Sequence, residues 1–138
     1  MKGKTISDLK VGDYAEHSKT ISESDVYMFA GVTGDFNPAH LNAQAAAHTM
    51  FKERIAHGML SAGLISAVLG MQLPGPGAIY LSQTLKFLAP VMFGDTITAR
   101  AEVTERNVDR NRVTLKTTCV NQTGKVVVDG EAVIMPPK

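Results

Sequence analysis

The densest run of chemically able side chains is Gly34-Asp35-Phe36-Asn37-Pro38-Ala39-His40. Asn37 before Pro38 predicts a helix start, with the asparagine as N-cap and the proline at the first helical position. His40 then falls in the first turn, where the positive end of the helix dipole disfavours a second positive charge. A neutral imidazole with a free nitrogen is what a general base requires. Asp35 lies just before the cap, on a turn sharp enough to fold its carboxyl back toward that ring. An acid and a base at the two ends of one tight turn suit a single proton-transfer reaction. A second reading stays open: Asp before Asn-Pro is a common turn former, and its carboxyl then bonds only its own backbone.

A second candidate group is His57-Gly58-Met59-Leu60, at the start of a long apolar segment. Glycine there permits a ligand to approach the backbone, and the free N–H groups of a helix start suit an oxyanion. The plain alternative is a glycine that turns the chain and an interior histidine with its own partners. Ser66, eight residues beyond Gly58, falls on about the same helix face two turns deeper. A serine inside a buried helix most often bonds back to a carbonyl. No HExxH, CxxC, GxGxxG, P-loop or GxSxG pattern occurs, so no metal, nucleotide or serine-hydrolase motif competes.

The elements that must position these groups change character along the chain. A short strand is expected near 14–20 and a helix over about 24–32, opened by Ser22 with Asp25 three residues on. Asn37-Pro38 opens the next helical stretch, and residues 43–47 are rich in helix formers. From about Gly58 to Met71 the segment is apolar on nearly every side, which predicts a buried helix. Its uncharged stretch is too short and too interrupted by glycine and serine to span a membrane. Beyond Pro74-Gly75-Pro76-Gly77 the period becomes two. Ile79, Leu81, Leu85 and Phe87 alternate with polar neighbours, as do Ile97 to Val103, Val113 to Thr117, and Val126 onward. Turn signals at Gly94-Asp95, 109–111 and Thr123-Gly124 separate four largely antiparallel strands. One apolar sheet face and one apolar helix are satisfied when the sheet wraps the helix, an α+β domain.

Composition narrows the partners. The 138 residues fit one domain. The net charge of +1 lacks the basic excess of a phosphate-contacting nucleic-acid binder. Cys119 is the one cysteine and has no internal disulfide partner, and four scattered histidines do not make a zinc finger. Asp8, Lys10 and Asp13 near the start replace the apolar core of a signal peptide, so a cytoplasmic protein is expected.

Taken together, Asp35-Phe36-Asn37-Pro38-Ala39-His40 and, further on, Arg54-Ile55-Ala56-His57-Gly58-Met59 resemble the MaoC-like (R)-specific enoyl-CoA hydratases. The similarity runs on through Leu73-Pro74-Gly75, Ile79-Tyr80-Leu81 and Phe93-Gly94-Asp95. Asn42 and Ala39 depart from it, standing where the family commonly has an acidic residue and a branched aliphatic. The resemblance implies a hot-dog fold, a curved antiparallel sheet around a central helix, over residues 1–138. It implies a homodimer acting on an acyl-CoA thioester without a cofactor or metal. Asp35 and His40 would be the catalytic pair, and the Gly58 N–H would hold the thioester oxygen. Asn37, His57 and Ser66 would support the site. Arg54 and Lys86, the cations nearest to these segments in sequence, are candidate CoA phosphate partners. Related hot-dog activities are a 3-hydroxyacyl carrier-protein dehydratase and a thioesterase, and a non-catalytic acyl-CoA-binding module is the remaining class.

Overall fold

The switch to an alternating pattern after Gly77 is where most of the sheet is built. In the computed structural model, which describes residues 2–138, the chain forms β1 (Tyr14–Thr20), α1 (Glu23–Thr33), α2 (Pro38–Leu41), α3 (Ala43–Ala47) and α4 (Gly58–Met71). These are followed by β2 (Ile79–Phe87), β3 (Thr96–Asn107), β4 (Arg112–Val120) and β5 (Val126–Met135). The strands make one antiparallel sheet in the order β1-β3-β4-β5-β2. Ile97, Ala99, Ala101 and Val103 of β3 are buried on one face, as are Val113, Leu115, Thr117 and Cys119 of β4. Strand alternation turns both sets toward the same side. There they meet Leu64, Ile65, Val68 and Leu69 of α4 in one apolar core. Each fully buried Leu or Ile contributes about 1.5–3 kcal/mol. This is the α+β, hot-dog arrangement of helix and sheet expected from the sequence.

Two expectations need correction. Helix α4 is not buried on every side, because Met59, Gly63, Ser66 and Gly70 form a face that this chain leaves open. Likewise β2 lies at the sheet edge, and Ile79, Leu81 and Phe87 are exposed although their spacing marks a core face. An apolar pattern reports that a face avoids water; it does not say whether the same chain covers it. No helix among the described residues is long and apolar enough to cross a membrane. Cys119 is fully buried, its thiol donates to the Ser61 carbonyl at 3.5 Å, and burial pushes its pKa up to about 12, which makes it unreactive.

The start of α1 matters because this helix carries one wall of the site. Ser22 Oγ accepts from Asp25 N–H at 3.1 Å, and Asp25 Oδ2 accepts from Ser22 N–H at 2.9 Å, a reciprocal capping box. Lys19 Nζ stands 3.0 Å from the same carboxylate. The Ser22 N–H, and then Lys19, hold the Asp25 carboxyl below its ordinary range. Ser22→Ala should cost about 1 kcal/mol in urea unfolding. A lowered folded pKa gives stability that is complete above roughly pH 4, the ordinary carboxyl value, and lost as pH falls through the lowered folded value. The stability gap between wild type and Asp25→Asn should therefore be largest at neutral pH and shrink toward pH ~2.

Candidate active site

Helix α1 ends at Gly34, whose φ of 83° is the left-handed conformation that favours glycine, and its N–H donates to Ala30 O at 2.8 Å. That reversal delivers Asp35. Its N–H donates to Thr33 Oγ1 at 3.2 Å, and its Oδ1 accepts from Asn37 N–H at 3.2 Å. Asn37 Oδ1 in turn accepts from Ala39 N–H at 3.0 Å, so the predicted cap is present. The turn-forming bond of Asp35 is therefore real, and it engages one carboxylate oxygen. The other makes no hydrogen bond among the described residues.

His40 sits on α2, a single turn, too short for its dipole to govern the ring as the sequence reading supposed. A hydrogen bond does so instead. His40 Nδ1 lies 2.7 Å from the Ile55 carbonyl. A carbonyl only accepts, so Nδ1 carries the proton and the neutral ring keeps its lone pair on Nε2. Ile55 is itself fixed, since its N–H donates to Ala39 O at 3.2 Å and it bridges to Met92. The next residue, Ala56, donates to Val91 O at 2.8 Å.

His57 joins the two parts. It is 2 % exposed, and its Nε2–H donates to the Asp35 carbonyl at 2.9 Å. Its ring centroid lies 3.9 Å from that of His40 and 4.7 Å from that of Phe29. Asp35, His40 and His57 each bring one polar atom within 4.8 Å of the others. Two of the four histidines, His40 and His57, thus meet in space with Asp35, in a set of a kind that holds metal ions. Each ring spends one nitrogen on a backbone carbonyl, His40 Nδ1 on that of Ile55 and His57 Nε2 on that of Asp35. What remains is the His40 Nε2 lone pair and the Asp35 carboxyl, in a pocket of about 300 Å³ lined also by Thr33, Gly58 and Met59, with the buried His57 Nδ1 also without a partner among the described residues.

Gly58 is the first residue of α4, and no side chain caps that end. Its N–H therefore has no intrahelical acceptor. A Cβ at Gly58 would stand 2.6 Å from Phe87 Cδ1, so the glycine is demanded by an aromatic ring packed on the helix start. Gly58 and Met59 also line an apolar pocket of about 480 Å³ between Phe51, Val91 and Val128. Met59 and Phe29 also border a third pocket, of about 450 Å³, and Ser66 lies there beside Tyr80 and Gln83. Ser66 is thus next to the Asp35–His40 pocket rather than in it.

The two candidate cations fare differently from expectation. Arg54 donates to Glu23 at 3.1 Å and to Tyr27 Oη at 2.8 Å, and it stacks on Phe93 at 4.8 Å. Its charge is already answered within the chain, and it ties α1 to the loop before α4. Lys86 is a correction. It pairs in register with Asp129, and it borders a surface hollow with Lys116, Asp129 and Glu131. These residues belong to the polar face of the sheet, opposite α4, because strand alternation turns Lys86 away when its neighbour Phe87 faces the helix. Nearness in sequence misled here. Ser61 and Phe87 escaped the sequence reading; the spacing of four between His57 and Ser61 was the available signal for the first.

Residues 10–125 match the MaoC-like domain model. The chain belongs to that family. Among MaoC-like proteins it is 59% identical over 130 residues to an (R)-specific enoyl-CoA hydratase of Rhodospirillum rubrum, covering 94% of this chain and 90% of that one. It is 53% identical over 131 residues to a 3-hydroxybutyryl-CoA dehydratase of Methylorubrum extorquens, covering 95% and 83%. The structure superposes on an unliganded R-hydratase from Pseudomonas aeruginosa with a TM-score of 0.93 and 53% identity, over 99% of this chain and 87% of that one.

Proposed function

We propose that this MaoC-like chain, one hot-dog unit over residues 1–138, is an (R)-specific enoyl-CoA hydratase. It adds water reversibly to a trans-2-enoyl-CoA to give the (R)-3-hydroxyacyl-CoA. The observation that carries the reading is the convergence of the Asp35 carboxyl, the His40 ring and the Gly58 helix start on one pocket flanked by apolar grooves. Names and identity of the relatives support it. His40 Nε2 takes a proton from water as the oxygen bonds to Cβ, and the Asp35 carboxylic acid delivers a proton to Cα. Transfer of the captured proton from His40 to Asp35 resets the pair. Negative charge grows on the thioester oxygen during addition, and the Gly58 N–H at the start of α4 meets it. One such donor is typically worth about 10²–10³-fold in rate. Asn37 holds the turn, and His57 holds Asp35 against His40. The reverse reaction is the dehydration for which the Methylorubrum relative is named.

Enoyl thioesters of increasing chain length, on CoA and on carrier protein, test this directly. The expected result is loss of enoyl absorbance on CoA substrates without release of thiol. Thiol release would make the protein a thioesterase. Turnover confined to carrier-protein thioesters would make it a carrier-protein dehydratase, and inertness on all of them would make it a binding module.

A homodimer in the cytoplasm, where acyl-CoA is made and used, completes the proposal. Edge strand β2 exposes Ile79, Leu81 and Phe87, and α4 leaves an open face of Gly63, Ser66 and Gly70 beside it. Exposed apolar surface next to an unpaired strand edge fits a second copy. Light scattering should return twice 14.8 kDa. A fully active particle of single-chain mass would refute the dimer.

A further inference from the structure

His57 and Ser61 are the two residues of the buried α4 start whose side-chain polar atoms lack a partner among the described residues, at His57 Nδ1 and Ser61 Oγ. They are 2 % and 1 % exposed. His57 is the N-cap of α4 and Ser61 lies four residues on, about one turn into the helix. Buried polar atoms in folded proteins are nearly always paired, and an unpaired one costs about 1–3 kcal/mol. Their chemistry is complementary. Because His57 Nε2–H is committed to the Asp35 carbonyl, Nδ1 of the neutral ring must be an acceptor. Ser61 has a hydroxyl proton to give and does not spend it on a carbonyl of its own helix, the usual habit of a helical serine.

We infer that Ser61 is a positioning residue for the hydration reaction, acting through His57. Its hydroxyl, after a change of rotamer, donates to His57 Nδ1 and holds the ring as the Nε2–H tautomer. That tautomer alone donates to the Asp35 carbonyl, so Ser61 sets how firmly the turn bearing the acid is held against the stacked ring of His40. The apolar pocket that Ser61 borders has no other polar side chain in its lining, so no side-chain acceptor competes for the hydroxyl there. The inference rests on the proton-handling roles proposed for Asp35 and His40, yet its spectroscopic test reads His57 alone.

The experiment uses Ser61→Ala and Ser61→Thr with ¹⁵N-labelled histidine. In wild type the His57 ring should give the signature of a protonated Nε2 and a hydrogen-bonded Nδ1. Ser61→Ala should shift Nδ1 toward an unbonded acceptor and mix the tautomers. It should lower kcat on crotonyl-CoA about tenfold with KM within twofold, and Ser61→Thr, which keeps the hydroxyl, should restore most of both. An unchanged His57 spectrum in Ser61→Ala would overturn the inference whatever the rate. A raised KM with unchanged kcat would also overturn it, since the hydroxyl would then touch substrate. A shifted spectrum with an unaltered rate would leave the tautomer effect standing and defeat the claim that it serves catalysis. Wild-type inertness toward crotonyl-CoA, with the spectral shift intact, would instead count against the roles of Asp35 and His40.

Discussion

Asp35→Asn is expected to lower kcat for hydration of crotonyl-CoA by at least ~10², and His40→Ala by a similar factor, because a general acid–base step is worth about 10²–10⁴-fold. The asparagine is nearly isosteric. Its amide oxygen still accepts the bond from Asn37 N–H that closes the turn, so the backbone carbonyl that receives His57 Nε2–H stays in place. What it loses is the carboxyl's capacity to take up and give a proton. His40→Ala removes the Nε2 lone pair and the ring stacked on His57. Since both groups act in one addition, the double variant should be little slower than the worse single variant. KM should move little, as neither group holds the CoA moiety. Retention of more than half the wild-type rate by Asp35→Asn would leave only the turn-forming role of that residue.

Gly58→Ala should lower kcat/KM at least tenfold, through sterics rather than through loss of a functional group. The new Cβ would lie 2.6 Å and 2.7 Å from Phe87 Cδ1 and Cε1, which no real pair of carbons tolerates. Either the ring swings into the apolar pocket it borders or the first turn of α4 moves and takes the N–H with it. Overpacking of this kind costs about 1–3 kcal/mol, and 1.4 kcal/mol in a barrier is about tenfold. Removal of the ring should relieve the clash, so Gly58→Ala with Phe87→Leu should regain most of the lost activity. A second variant without recovery would locate the damage in the helix start itself. Wild-type activity of Gly58→Ala alone would show that Phe87 yields freely and that the helix start is not held by it.

Much of the candidate site's geometry was legible because it is local. Asp35, Asn37 and His40 fall within one cap-and-turn unit, whose geometry follows from Asn-Pro at a helix start. His57 and Gly58 were marked by their place at the mouth of an uncharged helix. The strands of the sheet were legible because a half-buried strand alternates. The remainder depends on distant pairings that no local pattern reports. The ring of His40 is oriented by Ile55, fifteen residues on, in place of the dipole of a one-turn helix. Lys86 faces away from the site because the parity of β2 gives the helix side to Phe87. Arg54 is occupied by Glu23 and Tyr27 from another helix. The open faces of α4 and β2 read as core because sequence records apolar character and is silent about whose surface covers it.

The central claim is that one water is added to one face of an enoyl-CoA by the Asp35–His40 pair. Its most direct test is the configuration of the product. Purified protein incubated with crotonyl-CoA should consume the enoyl absorbance, and chiral analysis of the 3-hydroxybutyryl-CoA formed should return the (R) enantiomer, with Asp35→Asn giving next to none under the same conditions. The (S) enantiomer, a racemate, or equal product from Asp35→Asn would contradict the account.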